Sequence, residues 1–191
     1  TGDGNILVST ESDNVISSSG VDIIVFEIDN NGNMLWTGNA YGWPDPSFET
    51  AWDIVTTTDG GSAEGGQATG TIFGVGGEML LLKRDSIGVL QWAKTYGETG
   101  HEVAQSVLQT SDGGYILAGY TNSFGAGNRD FYIVKTDANG NSSGCNQQDV
   151  NPPEGPPLMT NDTGTVSSTG GIAGAFVTIV TTPPTLDSLL C

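Results

Sequence analysis

The chain is predicted to be all-β. The expected architecture is repeated four-stranded antiparallel units, β-propeller-like blades in about two and a half to three copies, then a Pro/Thr/Ser-rich C-terminal tail containing a β-strand. Three observations predict this. Thr110-Ser-Asp-Gly-Gly-Tyr-Ile-Leu-Ala-Gly119 returns as Thr58-Asp-Gly-Gly61, and Gly2-Asp-Gly-Asn-Ile-Leu-Val8 is a third version. Residues 22–33 match 78–89, and both match 130–141. Trp36 and Trp92 lie 56 positions apart (92 − 36), and Asp59 and Asp112 lie 53 apart (112 − 59). A period in that range marks propellers, solenoids or arrays.

The elements follow from the best-preserved copy. Ala104–Gln109 is its first strand. Asp112-Gly113-Gly114 is a turn, because Asp-Gly supplies the positive φ that a tight hairpin needs. Tyr115–Tyr120 is the second strand, and Ser123–Gly127 is a loop. Phe131–Thr136 is the third strand, closed by a turn at Asp137–Gly140. The fourth strand carries the Trp in the two earlier copies, at Met34–Trp36 and Leu90–Ala93, each followed by Tyr-Gly. In the middle copy Ser62–Thr69 stands where Tyr115–Asn122 stands later. Its apolar residues are lost, so a weakly paired strand, or one facing a neighbour or a glycan, is expected there. Trp43–Phe48 reads as an insertion whose aromatics stand on an exposed loop.

Residues 1–141 form the repeat domain and 142–191 the tail. Asn151–Pro157 is a stiff linker. Ile172–Thr182 reads as one strand with no obvious partner in the tail, free to cover the last repeat's edge or to insert into another subunit.

Composition narrows the partners. The formal net charge is −17 with five Lys and Arg, which excludes nucleic acid and anionic membrane surfaces, both of which need clustered cations. No segment is long and apolar enough for membrane insertion. Few charges with abundant Gly, Thr, Ser and Asn point to an exported protein, whose leader has been removed unless the chain is a fragment. Cys145 and Cys191 flank the tail and are expected to pair in an oxidising compartment; free thiols or an intermolecular bridge are the alternatives. Asn141 and Asn161 head glycosylation sequons.

The run SDGGYILAGYTNSFGAGNRDFYIVKTDANGN resembles the repeats of secreted bacterial and archaeal surface proteins often called delta-60-like or kelch-like. Residues 102–141 carry the resemblance closely, and residues 78–97 match the second half of the motif. The resemblance implies a β-propeller-like fold, an extracellular or cell-surface location, and no catalytic residues.

Asp29, Asn31, Asn33, Asp137 and Asn139 place oxygen atoms at alternate positions, as calcium loops do. The glycine comes too early for an EF-hand, and a hairpin turn is required there anyway. No other cofactor is expected. His101 is the only histidine, and it lies in a loop. Glu98 and Glu102 beside it match repeat positions rather than a glycosidase pair. No catalytic constellation is present, so an enzyme is not expected. Trp43, Phe48 and Trp52 are less periodic than the other aromatics and are candidates for stacking on sugar rings. The sequence therefore points to a non-catalytic extracellular structural protein. Its partners would be copies of itself, assembled into a filament or layer by β-strand addition. The alternative is an adhesion or carbohydrate-binding module of a larger surface protein, with glycans as partners.

Overall fold

The structure, a computed structural model, describes residues 2, 4–13, 20–43, 47–70, 76–126, 128–144, 146–150, 159–162 and 176–179. All its regular elements are strands. They are β1 (Ile6–Asp13), β2 (Gly20–Ile28), β3 (Met34–Thr37), β4 (Ser47–Thr56), β5 (Ser62–Ala68), β6 (Glu78–Arg84), β7 (Leu90–Tyr96), β8 (Glu102–Gln109), β9 (Tyr115–Thr121), β10 (Asp130–Lys135), β11 (Gln147–Val150), β12 (Met159–Asp162) and β13 (Phe176–Ile179). One eight-stranded sheet runs β1-β2-β4-β5-β6-β7-β11, with β3 also on β2. A second sheet runs β10-β9-β8, and β12 pairs β13. Pairing is antiparallel except for a short parallel contact, Gly20 with Ser47 and Val21 with Phe48. The described strands follow open paths and close into neither a barrel nor a propeller.

Five turns share one design. The N–H of the first residue bonds the C=O of the fifth, and the N–H of the fourth returns to the C=O of the first, at Asp29, Thr57, Asp85, Thr110 and Asp137. The fourth residue is a left-handed glycine each time: Gly32, Gly60, Gly88, Gly113 and Gly140, with φ from +77° to +86°. This is a type I turn closed by a left-handed residue, and glycine meets its φ without steric cost. Two of these glycines meet a second constraint. A Cβ on Gly88 would stand 2.4 Å from Cζ3 of Trp36, and one on Gly140 would stand 2.7 Å from Cζ3 of Trp92. Each tryptophan thus lies over the turn one repeat further along the chain.

Packing is set by Met79-Leu80-Leu81-Leu82 in β6, which is apolar on both faces of the sheet. Leu80 and Leu82 join Ile23, Val25, Tyr41, Trp43, Ala68 and Ala93 in one core cluster. Met79 and Leu81 join Ala63, Tyr96, Ala104, Val107, Tyr115, Leu117 and Val134 in another. The layer β4–β7 is therefore covered by β2 on one side and by β8–β10 on the other.

Three expectations are corrected. β5 is not weakly paired: its seven residues are in register with β4 on one side and β6 on the other, and most are buried. Its small residues have a packing reason, since a Cβ on Gly65 would already lie 3.0 Å from Cβ of Val107. Trp43 does not stand on an exposed loop; it is 7% exposed and belongs to the first core cluster. The tail strand does have a partner in the tail, because Phe176–Ile179 pairs antiparallel with Met159–Asp162.

One polar interaction sits inside this apolar packing. Arg84 Nε donates to Glu64 Oε1 at 2.8 Å with both side chains fully buried, and the guanidinium lies 4.0 Å from the Tyr41 ring centroid. The next copy has Leu117 and Thr136 at these two positions, so the charges are present together or absent together. Removing one partner of a buried pair strands the other charge, which costs about 3–5 kcal/mol. Glu64→Ala is therefore expected to lower unfolding free energy by about that amount in urea titrations, with Arg84→Ala comparable.

Candidate interaction site at the edge of the second sheet

Strand β10 forms one border of the three-stranded sheet, paired only to β9 among the described residues. Thr136 N–H donates to Tyr115 C=O at 2.8 Å, on the β9 side. Alternation along a strand then turns the backbone N–H and C=O of Phe131, Ile133 and Lys135 outward. Asp137 has the same parity, and its N–H bonds Asn141 in the turn beyond. In β6 the equivalent residues are Met79, Leu81 and Lys83, and β7 pairs along that edge. In the third copy the chain does not come back along β10. Gln147–Val150 pairs with β7 instead, Gln147 opposite Tyr96 and Val150 opposite Ala93. The sequence gives a reason: Ser142-Ser143-Gly144 stands where Leu90-Gln91-Trp92 stands one repeat earlier.

The outer side of this border is apolar. Phe131 is 78% exposed and Ile133 47%. Beside them Lys135 is held by Asp112 at 3.0 Å and donates to Thr136 C=O at 2.7 Å. The same device occurs one repeat earlier, with Lys83, Asp59 and Arg84 C=O. Asp59 is held at about 2: burial raises it, but hydrogen bonds from Thr57, Lys83 and Gly61 outweigh burial. Asp112 is held well below the usual carboxylate range, foremost by the Thr110 hydroxyl and then by Lys135 and the Gly114 N–H.

The sequence-derived candidates fall as follows. The Asp29 carboxylate accepts from the N–H groups of Asn31 and Asn33 and from Nδ2 of Asn33, each at 2.8 Å. Asp137 accepts likewise from Asn139 and Asn141. Both aspartates sit below the usual range, chiefly through the side-chain bonds of Asn33 and Asn141. The alternate oxygens and amides thus build the turns. Among the described residues no three His, Cys, Asp or Glu side chains gather as a metal site would. Asn141 is exposed, with Nδ2 on Asp137 and Oδ1 accepting from Gln147. Asn161 lies in β12, and Cys145 and Cys191 lie outside the described residues. Phe48 and Trp52 are 55% and 57% exposed on β4, with Trp52 at a bulge opposite β5. His101 stacks edge-on to Tyr120 at 5.8 Å. Glu102 is fully buried, accepting from Thr121 Oγ1 at 2.6 Å and from the N–H groups of Ser123 and Glu98. Its counterpart Glu49 is buried too and accepts from Ser47 and from the Trp43 N–H.

Sequence reasoning missed β10 as a site. Its alternation was visible in Asp130-Phe-Tyr-Ile-Val-Lys135, but the departure of the fourth strand to β7 was not.

The depressed aspartates set an acid limit. A carboxylate whose folded pKa lies below its unfolded value, about 3.9 for Asp, contributes stability above the unfolded value and loses it as pH falls toward the folded one. Asp29, Asp59, Asp112 and Asp137 all act in this sense. Glu11 and Glu78 act oppositely, raised first by burial. The urea midpoint is expected to be flat near neutrality and to fall between about pH 4 and pH 2. A midpoint that rises on acidification would contradict the turn hydrogen bonds as stabilising contacts.

Compared with known proteins, the chain matches no family model and no curated protein.

Proposed function

We propose that this protein is a non-catalytic extracellular structural protein whose repeats are propeller-like blades. Copies assemble into a surface filament or layer when a strand of a neighbouring copy adds to β10. The observation that carries this reading is the outward-facing backbone of Phe131, Ile133 and Lys135 on a border strand with apolar side chains. Such an edge is a template for another strand unless charge, proline or a bulge blunts it. The charged ends Asp130 and Lys135 leave the centre of β10 unblunted. The surface location rests on composition and on the repeat resemblance.

Ile133→Pro removes an N–H that points away from β9, so the internal ladder keeps its bonds. Sedimentation velocity is expected to show polymers in the parent and in Ile133→Thr, which keeps the N–H, and their loss in Ile133→Pro. Equal association of all three would rule out strand addition at β10.

The exposed Phe48 and Trp52 favour a second reading, adhesion through glycans. That reading expects saturable sugar binding, seen by calorimetry, which Trp52→Ala abolishes while the urea midpoint stays within error. Trp43→Ala is no test of it, because Trp43 is core.

A further inference from the structure

We infer that the face of β8–β10 turned away from β4–β7 is a second self-association surface, docking on the same face of a second copy. The inference rests on the assembly reading above and adds the contact that it lacks. Strand addition of β10 to β10 of a second copy is an isologous contact, which closes at two copies, so a filament needs another.

The argument comes from comparing two layers of one chain. In β4–β7 the face toward β8–β10 carries Val55, Ala63, Met79 and Leu81, and the third strand group covers it. One repeat later the same positions are Leu108, Ile116, Phe131 and Ile133. Leu108 is opposite Ile116 across β8 and β9, and Phe131 is opposite Tyr120 across β9 and β10. Directly opposed residues share a face, so these side chains form one continuous apolar surface. Met79 and Leu81 are fully buried, whereas Leu108, Phe131 and Ile133 are 59%, 78% and 47% exposed. The surface that buries one repeat against the next is thus repeated where no further described repeat covers it.

Charge selects a second copy as the occupant. The chain carries −17, so copies repel over most of their surface. Of its five cations Lys83, Arg84 and Lys94 are buried. The remaining two stand at this face: Arg129 lies 4.3 Å from the Tyr120 ring centroid, and Lys135 bridges Asp112. Here alone exposed Lys and Arg stand among the neighbouring Asp112, Asp130 and Asp137, two cations against three carboxylates, so repulsion between two copies is weaker at this face than over the rest of the surface.

The test uses Leu108→Asn, because β8 lies two strands from the β10 edge and Leu108 is exposed enough for the substitution to leave folding intact. Sedimentation of the full chain is compared for the parent, Leu108→Asn, Ile133→Pro and the double variant, with circular dichroism confirming the fold. Parent polymers, dimers for each single variant and monomers for the double variant are expected. Leu108→Asn is expected to raise the concentration needed for polymers about tenfold or more. Polymers unchanged in Leu108→Asn but lost in Ile133→Pro would overturn the face contact and leave strand addition standing. The reverse pattern would overturn strand addition and leave the face. A monomeric parent at millimolar concentration would sink both.

Discussion

A strand that reads Met79-Leu80-Leu81-Leu82 offers apolar side chains to both faces of its sheet, and one covering layer cannot bury both. The rest of the described architecture follows from that constraint. β2 supplies Ile23 and Val25 to one face, and β8–β10 supply Val107, Leu117 and Val134 to the other. A layer with two covered faces is the middle of a stack. Within each layer small residues stand where adjacent strands approach beside a bulge. A Cβ on Gly66 or Gly119 would lie 1.8 Å from a carbonyl oxygen of the adjacent first strand, Thr50 in one case and Val103 in the other. The repeat is conserved within this chain at such points, and the exposed strand residues vary freely.

Where the repeat changes, paired residues change together. Glu64 and Arg84 bring a buried charge pair to the contact with Tyr41, and the following copy brings Leu117 and Thr136 to the matching contact. Burial of a single charge there is prohibitive, so the two sites are coupled through desolvation. By contrast the Lys83–Asp59 and Lys135–Asp112 pairs are kept in both copies. Their aspartates are over half exposed, and each lysine also satisfies a strand-end carbonyl. Their contribution is to fix where the third strand ends against the turn before the second, more than to add stability.

Much of this was legible in the sequence. Asp-Gly-Gly and Asp-Asn-Asn-Gly forced turns, and the matching blocks put the strands between them within three residues of their positions. Local chemistry was enough there because a left-handed glycine and an aspartate accepting nearby N–H groups need no distant partner. The failures all involve residues whose fate depends on something far along the chain. Ser62–Ala68 looked too small and polar for a firmly paired strand, yet its smallness is what admits Val107. Trp43 looked like a loop aromatic, yet Leu80 and Leu82 face it from β6. Phe131 looked like any strand residue, since its exposure depends on where residues after 141 travel.

That path has a physical origin on the neighbouring layer, at β7 beside the Asp137–Gly140 turn. Lys94 on β7 is buried, and a buried ammonium requires a carboxylate. The strand β11 supplies Asp149, which pairs with Lys94, while Gly97 N–H bonds Asn146 C=O to guide the chain into register. The position that matches Lys94 in the first repeat is Gly38, and among the described residues no extra strand joins β3. Along β10 there is no comparable demand: Lys135 is already held by Asp112, and Ser142-Ser143-Gly144 brings no side chain to cover Phe131. A segment choosing between the two edges gains a charge pair at β7 and little at β10. The bare β10 edge and the Lys94–Asp149 pair are thus two ends of the same choice of path.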